Sequence, residues 1–374
     1  MSQRYDPAEL DVLKSRTSLS KVFETYGIRS KGSARARWAV CCFHHEKSGS
    51  LKIDDQRGRY KCFGCGVSGD HFTFLNEFVG KSFHEAVEYL GGSVGFVTTE
   101  ERRAIEQRNA EWEAQELAEK QRTMTSVQRI FDNGKTIHGT HAEAYLAARG
   151  LRVVKHWTFD IRFVAALTYR GWPNPDADDT VELGTFPTMI AAIRNPGGDI
   201  IGLHRTYLDP DRPAKLTPPG DQRRNKAKKV LGEQRGGMIR LSPLGPRLAM
   251  GEGIETSQAW FSGGFGGIDD VAVAAAVSLG NLAGSAMGSA EHPSDHSKRV
   301  PNGIPDMERP GVVLPDEVRE LVLIGDGDSD PAMTRARLMV AGRRYRNLGR
   351  RVFVSMAPQG KDFADLNLEL GAGQ

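Results

Sequence analysis

The stretch RLAMGEGIETSQAWFSG, residues 247–263, opens the part of the chain whose pattern decides the fold. RLAMGEG reads as a short apolar strand, and IETSQAWFSG as a helix. The alternation continues with VAVAAAVSLG (271–280) as a strand, ELVLIGDGD (320–328) as a strand, PAMTRARLMVAGRRYRNLG (331–349) as a helix and RRVFVSMAP (350–358) as a last strand. Continuous apolar runs alternating with helical segments predict a parallel α/β sheet covered on both faces. Between Gly284 and Pro315 a polar, proline-rich insertion reads as a surface loop.

The carboxylates of this segment fall where such a sheet places its ligands. Glu252 follows the first strand, and Asp326 and Asp328 follow the third. Open α/β sheets bind ligands off the carboxyl ends of their strands, so these acids are expected to converge. Carboxylates gathered in one cleft repel one another unless a cation offsets their charge, and hard oxygen donors select Mg2+ or Mn2+. Other readings fail on spacing. DGDSDPAMTRAR (326–337) has Pro331 and Arg337 where a calcium-binding EF-hand needs Gly and Glu. NGKT (133–136) has Arg129 in place of the first glycine of a nucleotide-binding P-loop.

All four cysteines lie in CCFHHEKSGSLKIDDQRGRYKCFGCG, residues 41–66. Cys41 and His44 form one pair spaced by two residues, Cys62 and Cys65 a second. Thiolates and imidazole at this spacing suit tetrahedral zinc, and four protein ligands leave no open position, so the site is structural. Either Cys41 or its neighbour Cys42 could ligate; the two-residue gap to His44 selects Cys41. Arg57, Arg59, Trp38 and the nearby lysines interleave charge with aromatic rings, a composition that tracks phosphates and stacks bases of single-stranded nucleic acid.

The net charge is only +3, but it is unevenly spread. Residues 29–61 carry nine Lys/Arg against three acids, 201–240 ten against four, and 331–351 seven arginines with no acid. Basic blocks inside folded segments point to a polyanionic partner. The chain opens without an apolar signal segment, and VAVAAAV (271–277) is far too short to span a membrane. A cytoplasmic location, with reduced thiols and no membrane partner, is the expectation. The boundaries read as a zinc-binding domain over 1–97, a helical linker over 98–139 starting with a capping box, a basic β-rich subdomain over 140–246, and the α/β domain over 247–374.

CCFHHEKSGSLKIDDQRGRYKCFGCGVSGDHFTFL resembles the N-terminal zinc-binding domain of bacterial and phage DNA primases. EGIET (252–256), IGDGD (324–328), SLGNL (278–282) and QGKDFADL (359–366) are together similar to the Toprim domain, the metal-binding α/β fold of primases, topoisomerases and some nucleases. The resemblance implies a multidomain α+β chain: a zinc ribbon, a basic β-rich part and a C-terminal Rossmann-like Toprim sheet. It implies Glu252, Asp326 and Asp328 as catalytic residues that hold Mg2+, with Asp362 as a further magnesium ligand and Asp365 as a neighbouring candidate. GLHRTYLDPDRPAKL (202–216) and KAKKVLG (226–232) are similar to the basic half of a primase polymerase core, which makes Arg205, Lys228 and Lys229 nucleotide or template contacts. The implied activity is that of a phage- or plasmid-associated primase, a DNA-directed RNA polymerase that makes short RNA primers on single-stranded DNA from ribonucleoside triphosphates. A separate replicative helicase is the implied partner. A Toprim nuclease and a non-catalytic single-strand-binding protein are the rival readings.

Overall fold

The computed structural model describes residues 5–43, 49–62, 67–92, 97–151, 160–265, 270–296, 299–328 and 330–372. They form two units, Met1–Arg122 with Trp172–Val181, and Thr123–Gly171 with Glu182–Gln374.

The first unit begins with α1 (Pro7–Arg16) and α2 (Leu19–Thr25). Thr17, in extended conformation, breaks the run, and Asp6 and Glu9 close a capping box at the start of α1. Five short strands follow as an antiparallel meander: β1 (Lys31–Ser33), β2 (Ala36–Ala39), β3 (Leu51–Asp54), β4 (Arg59–Cys62) and β5 (Ser68–Asp70). The helices α3 (His71–Glu77) and α4 (Phe83–Tyr89) pack with α1 and α2 on one face of the meander, around Phe23, Tyr60 and Phe74. The long helix α5 (Thr99–Asp132) begins with the expected capping box: Thr98 and Glu101 each accept from the other's backbone N–H. Its first part belongs to this unit and its last turns to the second.

The second unit starts with the last turns of α5 and with α6 (His141–Ala148), then a four-stranded sheet in the order β6 (Ile161–Gly171), β7 (Val181–Arg194), β8 (Ile200–Tyr207), β9 (Lys228–Gly232). The pairs β7–β8 and β8–β9 are antiparallel. A second sheet is built from β10 (Ile239–Arg240), β11 (Arg247–Gly251), β12 (Ala272–Ala275), β15 (Glu320–Gly325) and β16 (Arg351–Met356), in the order β10-β12-β11-β15-β16. Four of these strands are parallel, as the alternation required, and β10 joins the edge antiparallel. Residues of β11 and β15 alternate between two cores. Ala249, Val322 and Ile324 face a cluster with Trp260 of α7 (Ile254–Ser262) and Phe363 of α10 (Phe363–Ala372). Leu248, Met250, Leu321 and Leu323 face another, with Leu282 of α8 (Leu279–Ala283) and Leu338 and Tyr345 of α9 (Pro331–Asn347). Helices therefore cover both faces.

Two boundaries differ from the expectation. No break falls at 246/247: Ile239–Arg240 pairs with β12, and one core runs from Tyr145 and Met189 to Trp260. The division falls inside α5 instead, because the first part of that helix ties to the zinc-type unit, for example through Asn109 to Asp11. The insertion at 284–315 is more than a surface loop. It carries the ribbon β13 (Ser289–Glu291) with β14 (Arg299–Pro301), and it buries His292, Val300, Asp306 and Val312. Among the described residues no helix is long and apolar enough to cross a membrane.

Candidate active site

The acidic residues lie at the carboxyl ends of the central parallel strands. The chain turns directly from β11 into α7, and the Ser257 hydroxyl meets the Gly251 N–H at 3.0 Å. A Cβ on Gly251 would stand 2.8 Å from that oxygen, so the tight exit needs glycine. Glu252 follows, half-buried, and accepts the backbone N–H of Leu279. Just before that amide, Val277 holds a φ of +72°, a left-handed conformation costly for a β-branched residue. Burial first, then Asp326 and Asp328, push the Glu252 carboxyl above its ordinary value.

Asp326 stands at the end of β15. Its Oδ2 accepts the Thr256 hydroxyl at 2.6 Å, while its buried Oδ1 has no protein partner. Burial, and then Asp362 and Asp328, raise it to about 6, although the Thr256 hydroxyl and the Phe363 N–H pull the other way. Gly327 between the two aspartates presses on the turn after β16. It donates to Lys361 O at 3.0 Å and accepts from Gly360 N at 2.7 Å, and a Cβ there would lie 2.3 Å from Pro358 O. This lock of turn on turn brings Asp362 to Asp326. Asp362 pairs with Arg149 at 3.3 Å and accepts the Asp365 N–H at 2.6 Å, while the Asp365 carboxylate faces back to the Asp362 N–H at 3.4 Å. Asp365 thus serves the start of α10, and Asp328 is exposed.

Does this donor set suit a divalent cation? The unpartnered, buried Asp326 Oδ1 and the mutual repulsion of Glu252, Asp326, Asp328 and Asp362 both favour one. Among the described residues, however, no three His, Cys, Asp or Glu side chains stand close enough to hold an ion by themselves. Mg2+ needs no all-protein cage, since it keeps waters and takes one or two carboxylates plus substrate oxygens.

One helical turn beyond Glu252 lies a residue the sequence reading passed over. Glu255 is 7% exposed and accepts from the Tyr145 hydroxyl and the Lys228 ammonium, with Lys215 Nζ at 3.3 Å. Burial alone would raise this carboxyl, but Lys228 and Lys215 together with Tyr145 hold it down at about 2. Burial outweighs Glu255 at Lys215, whose ammonium is lowered. His204 lies beside them, buried and pressed to about 3 by desolvation and then by the Lys228 charge, so its ring is neutral and its Nδ1 has no partner. An acidic residue in a helix's first turn usually signals only the helix dipole, and nothing local in the sequence marks its lysine partners.

The three basic residues expected at the polymerase core do not share one face. Lys228 turns to the Glu255 side with His204, whereas Arg205 and Lys229, paired in register, turn to the other. There Arg205 donates to Tyr207 Oη and Val230 O at 3.3 and 3.2 Å. Lys229 donates to Arg170 O at 2.5 Å and lies 4.3 Å from the Tyr169 ring centre, with its ammonium lowered to about 8 by burial and Arg205. Strand alternation makes this split unavoidable for adjacent residues.

In the first unit the register Ala39↔Leu51↔Cys62 sets the ends of β2 and β4 level with each other on either side of β3. Cys41, two residues past Ala39, and Cys62 are both buried, and neither forms a disulfide. Their thiols, with Ser50 Oγ 3.0 Å from Cys62 Sγ, suit a structural zinc end; His44 and Cys65 lie outside the described residues. The opposite face of the meander aligns Lys31, Trp38, Lys52 and Lys61 in one row across four strands. Arg59 is exposed on that side, Arg57 lies 4.0 Å from Asp54, and Trp38 meets Trp172 edge-to-face at 6.0 Å.

Residues 5–106 match the CHC2 zinc finger family, and residues 121–241 match a domain of unknown function, DUF7146. The latter spans Arg205, Lys228 and Lys229. Among curated proteins, the DNA primase of Haemophilus influenzae is 25% identical over 241 residues, covering 60% of this chain and 40% of its own length. The DNA primase of Neisseria meningitidis serogroup A is 29% identical over 239 residues, with the same two shares. The Mycobacterium bovis DNA primase is 32% identical over 95 residues, covering 25% of this chain and 15% of its own length. The chain thus spans about two fifths of the length of the first two relatives. Among solved structures, the zinc-binding and RNA polymerase domains of the Aquifex aeolicus primase superpose with a TM-score of 0.39 at 16% identity, covering 97% of this chain and 83% of that one. With its zinc-finger match and these relatives, the chain is related to the bacterial-type DNA primases.

Proposed function

We propose that this chain is a DNA primase, joining ribonucleotides into short primers on single-stranded DNA. The observation that carries the reading is the presence in one chain of a primase-type zinc-finger segment and of a partly buried, mutually repelling carboxylate group at the ends of parallel strands. In this reading Cys41, His44, Cys62 and Cys65 hold structural zinc, and the C-terminal sheet is a Toprim domain. Glu252, Asp326 and Asp328, with Asp362, would hold Mg2+, which supplies charge neutralisation and Lewis acidity at the reacting phosphate when bound.

The chain's own residues do the rest. Thr256 orients the Asp326 carboxylate, and Arg149 steadies Asp362. Glu252, fixed by the Leu279 N–H, is suited to hold the ion or to accept a proton from the 3′-hydroxyl that attacks. Lys228 and Lys215 offer ammonium protons to phosphate oxygens beside it. The row of Lys31, Trp38, Lys52 and Lys61, with Arg57 and Arg59, carries the template strand by charge and stacking. Arg205 and Lys229, on the far face of β8–β9, serve template rather than nucleotide. A separate helicase would supply unwinding, and the carrying element would be a phage or plasmid.

The test is a product assay: purified chain, single-stranded DNA, labelled ribonucleoside triphosphates and Mg2+. Short labelled RNA supports the reading. Cut DNA would make the site a nuclease, and bound but unchanged DNA would leave only a binding protein.

A further inference from the structure

Tyr145 belongs to α6, more than a hundred residues from Glu255 in sequence, and is 1% exposed. It is too deeply buried to touch a ligand, and burial together with the Glu255 charge pushes its phenol far above its ordinary value, so it donates at any working pH. Its hydroxyl fixes Glu255, and Glu255 in turn gathers two ammonium groups from separate segments, Lys215 and Lys228 of β9. The lysine side chains remain 39% and 37% exposed, so each keeps donors facing solvent. One carboxylate against two ammoniums leaves an excess positive charge, and Lys228 also acts on Glu252 of the acidic group. Neutral His204 adds no charge beside them, and the Arg149 guanidinium, which also acts on Lys215 and Tyr145, is paired with Asp362 at 3.3 Å. A ligand that answers both neighbours carries several anionic oxygens in a short row: two ammoniums at one end, a divalent-ion group at the other.

We propose that Tyr145, acting through Glu255, is a positioning residue that holds Lys215 and Lys228 ready for the polyphosphate of an incoming nucleotide. This rests on reading the carboxylate group as a nucleotidyl-transfer centre. Glu255 is then a counter-charge rather than a metal ligand, since two cations already occupy it. Removing the phenol oxygen lets the carboxylate rotate and the two ammoniums drift apart under their own repulsion, which weakens the polyphosphate grip and leaves the reacting groups in place.

The test is Tyr145→Phe in the full chain, which keeps the ring and removes the donor. Primer synthesis at varied nucleotide concentration should show KM raised about five- to tenfold with kcat within about twofold, as expected for a missing hydrogen bond to a charged group. Binding of inorganic tripolyphosphate, read by calorimetry, should weaken in parallel, whereas affinity for single-stranded DNA should stay level. Tripolyphosphate binding needs no synthesis, so a chain that makes no primers would overturn the primase reading and still decide this one. A drop in kcat or thermal stability with KM unchanged would make Tyr145 merely structural. Equal weakening for DNA would assign the lysines to the template, and a shifted Mg2+ midpoint with level KM would make Glu255 a metal ligand; either overturns the proposal. Should Tyr145→Phe fold poorly, Lys215→Gln must give the same split between KM and kcat, and a flat KM there overturns it equally.

Discussion

Asp326 combines the features that a sequence can and cannot show. Its place in an Asp-Gly-Asp run after an apolar strand was legible, because a strand's end and a pair of hard donors are local signals. Its carboxyl is raised to about 6 by burial and then by Asp362, thirty-six residues on, while Thr256, seventy residues before, bonds Oδ2 and pulls the other way; none of these is local in the sequence. The folded value lies above the unfolded value near 3.8, so the native state binds the proton more tightly. Stability therefore falls as pH rises from about 3.8 to 6, and the full penalty, on the order of 3 kcal/mol, stands above pH 6. Asp326→Asn removes that charge and keeps the shape. In metal-free buffer at pH 8 its melting temperature should exceed that of the wild type by several degrees, with the gap closing toward pH 4, while Mg2+-dependent synthesis falls by orders of magnitude. A melting curve that drops at pH 8 would mean that the carboxylate is part of the scaffold. Glu255 and Lys215 were illegible for the opposite reason: nothing in their own neighbourhoods links a helix's first turn to a proline-rich loop forty residues away.

At the scale of elements, the parallel sheet read clearly because apolar runs of four to six residues, buried on both faces, alternate with helices. The capping box at Thr98 and Glu101 was likewise present in the letters. α10 and the β13–β14 ribbon were not, since neither follows a period long enough to stand out from its polar surroundings. The face of a side chain within the basic strands was also hidden. Lys228 and Lys229 are equivalent in sequence, but β9 sends one to Glu255 and the other to Tyr169. The turn-on-turn lock at Gly327 gives this scale its test. Gly327→Ala would place a Cβ 2.3 Å from Pro358 O, backbone against backbone, and should cost about 1–3 kcal/mol as the aspartate turn is driven from the Asp362 turn. Denaturant melts should show the loss, and the Mg2+ concentration for half-maximal synthesis should rise. An unchanged Mg2+ midpoint would separate Asp362 from the site.

At the scale of the molecule, two predictions concern the zinc-finger unit. Metal analysis should find one zinc per chain, absent from Cys62→Ser and retained in Cys42→Ser; zinc retained without Cys62 would refute the ligand set. Affinity for single-stranded DNA should fall steeply with salt, and replacing Arg57 and Arg59 together should flatten the log–log slope by roughly 0.7 for each phosphate that is no longer neutralised. An unaltered slope would move the template path off the β3–β4 side. The organisation into a zinc-type segment, a linking helix and an α/β sheet was legible from cysteine spacing, charge density and strand–helix alternation. The joining of the β-rich segment to the parallel sheet was not, because Ile239 and Arg240 form a two-residue strand that no periodicity can announce.

The most direct measurement is incorporation of labelled ribonucleotides on single-stranded DNA, run side by side for the wild type and Asp326→Asn with and without Mg2+. Short RNA is expected from the wild type only with Mg2+, and almost none from a variant that still folds and retains its zinc. Full primer synthesis by Asp326→Asn, or wild-type products that are cut DNA rather than new RNA, would contradict it.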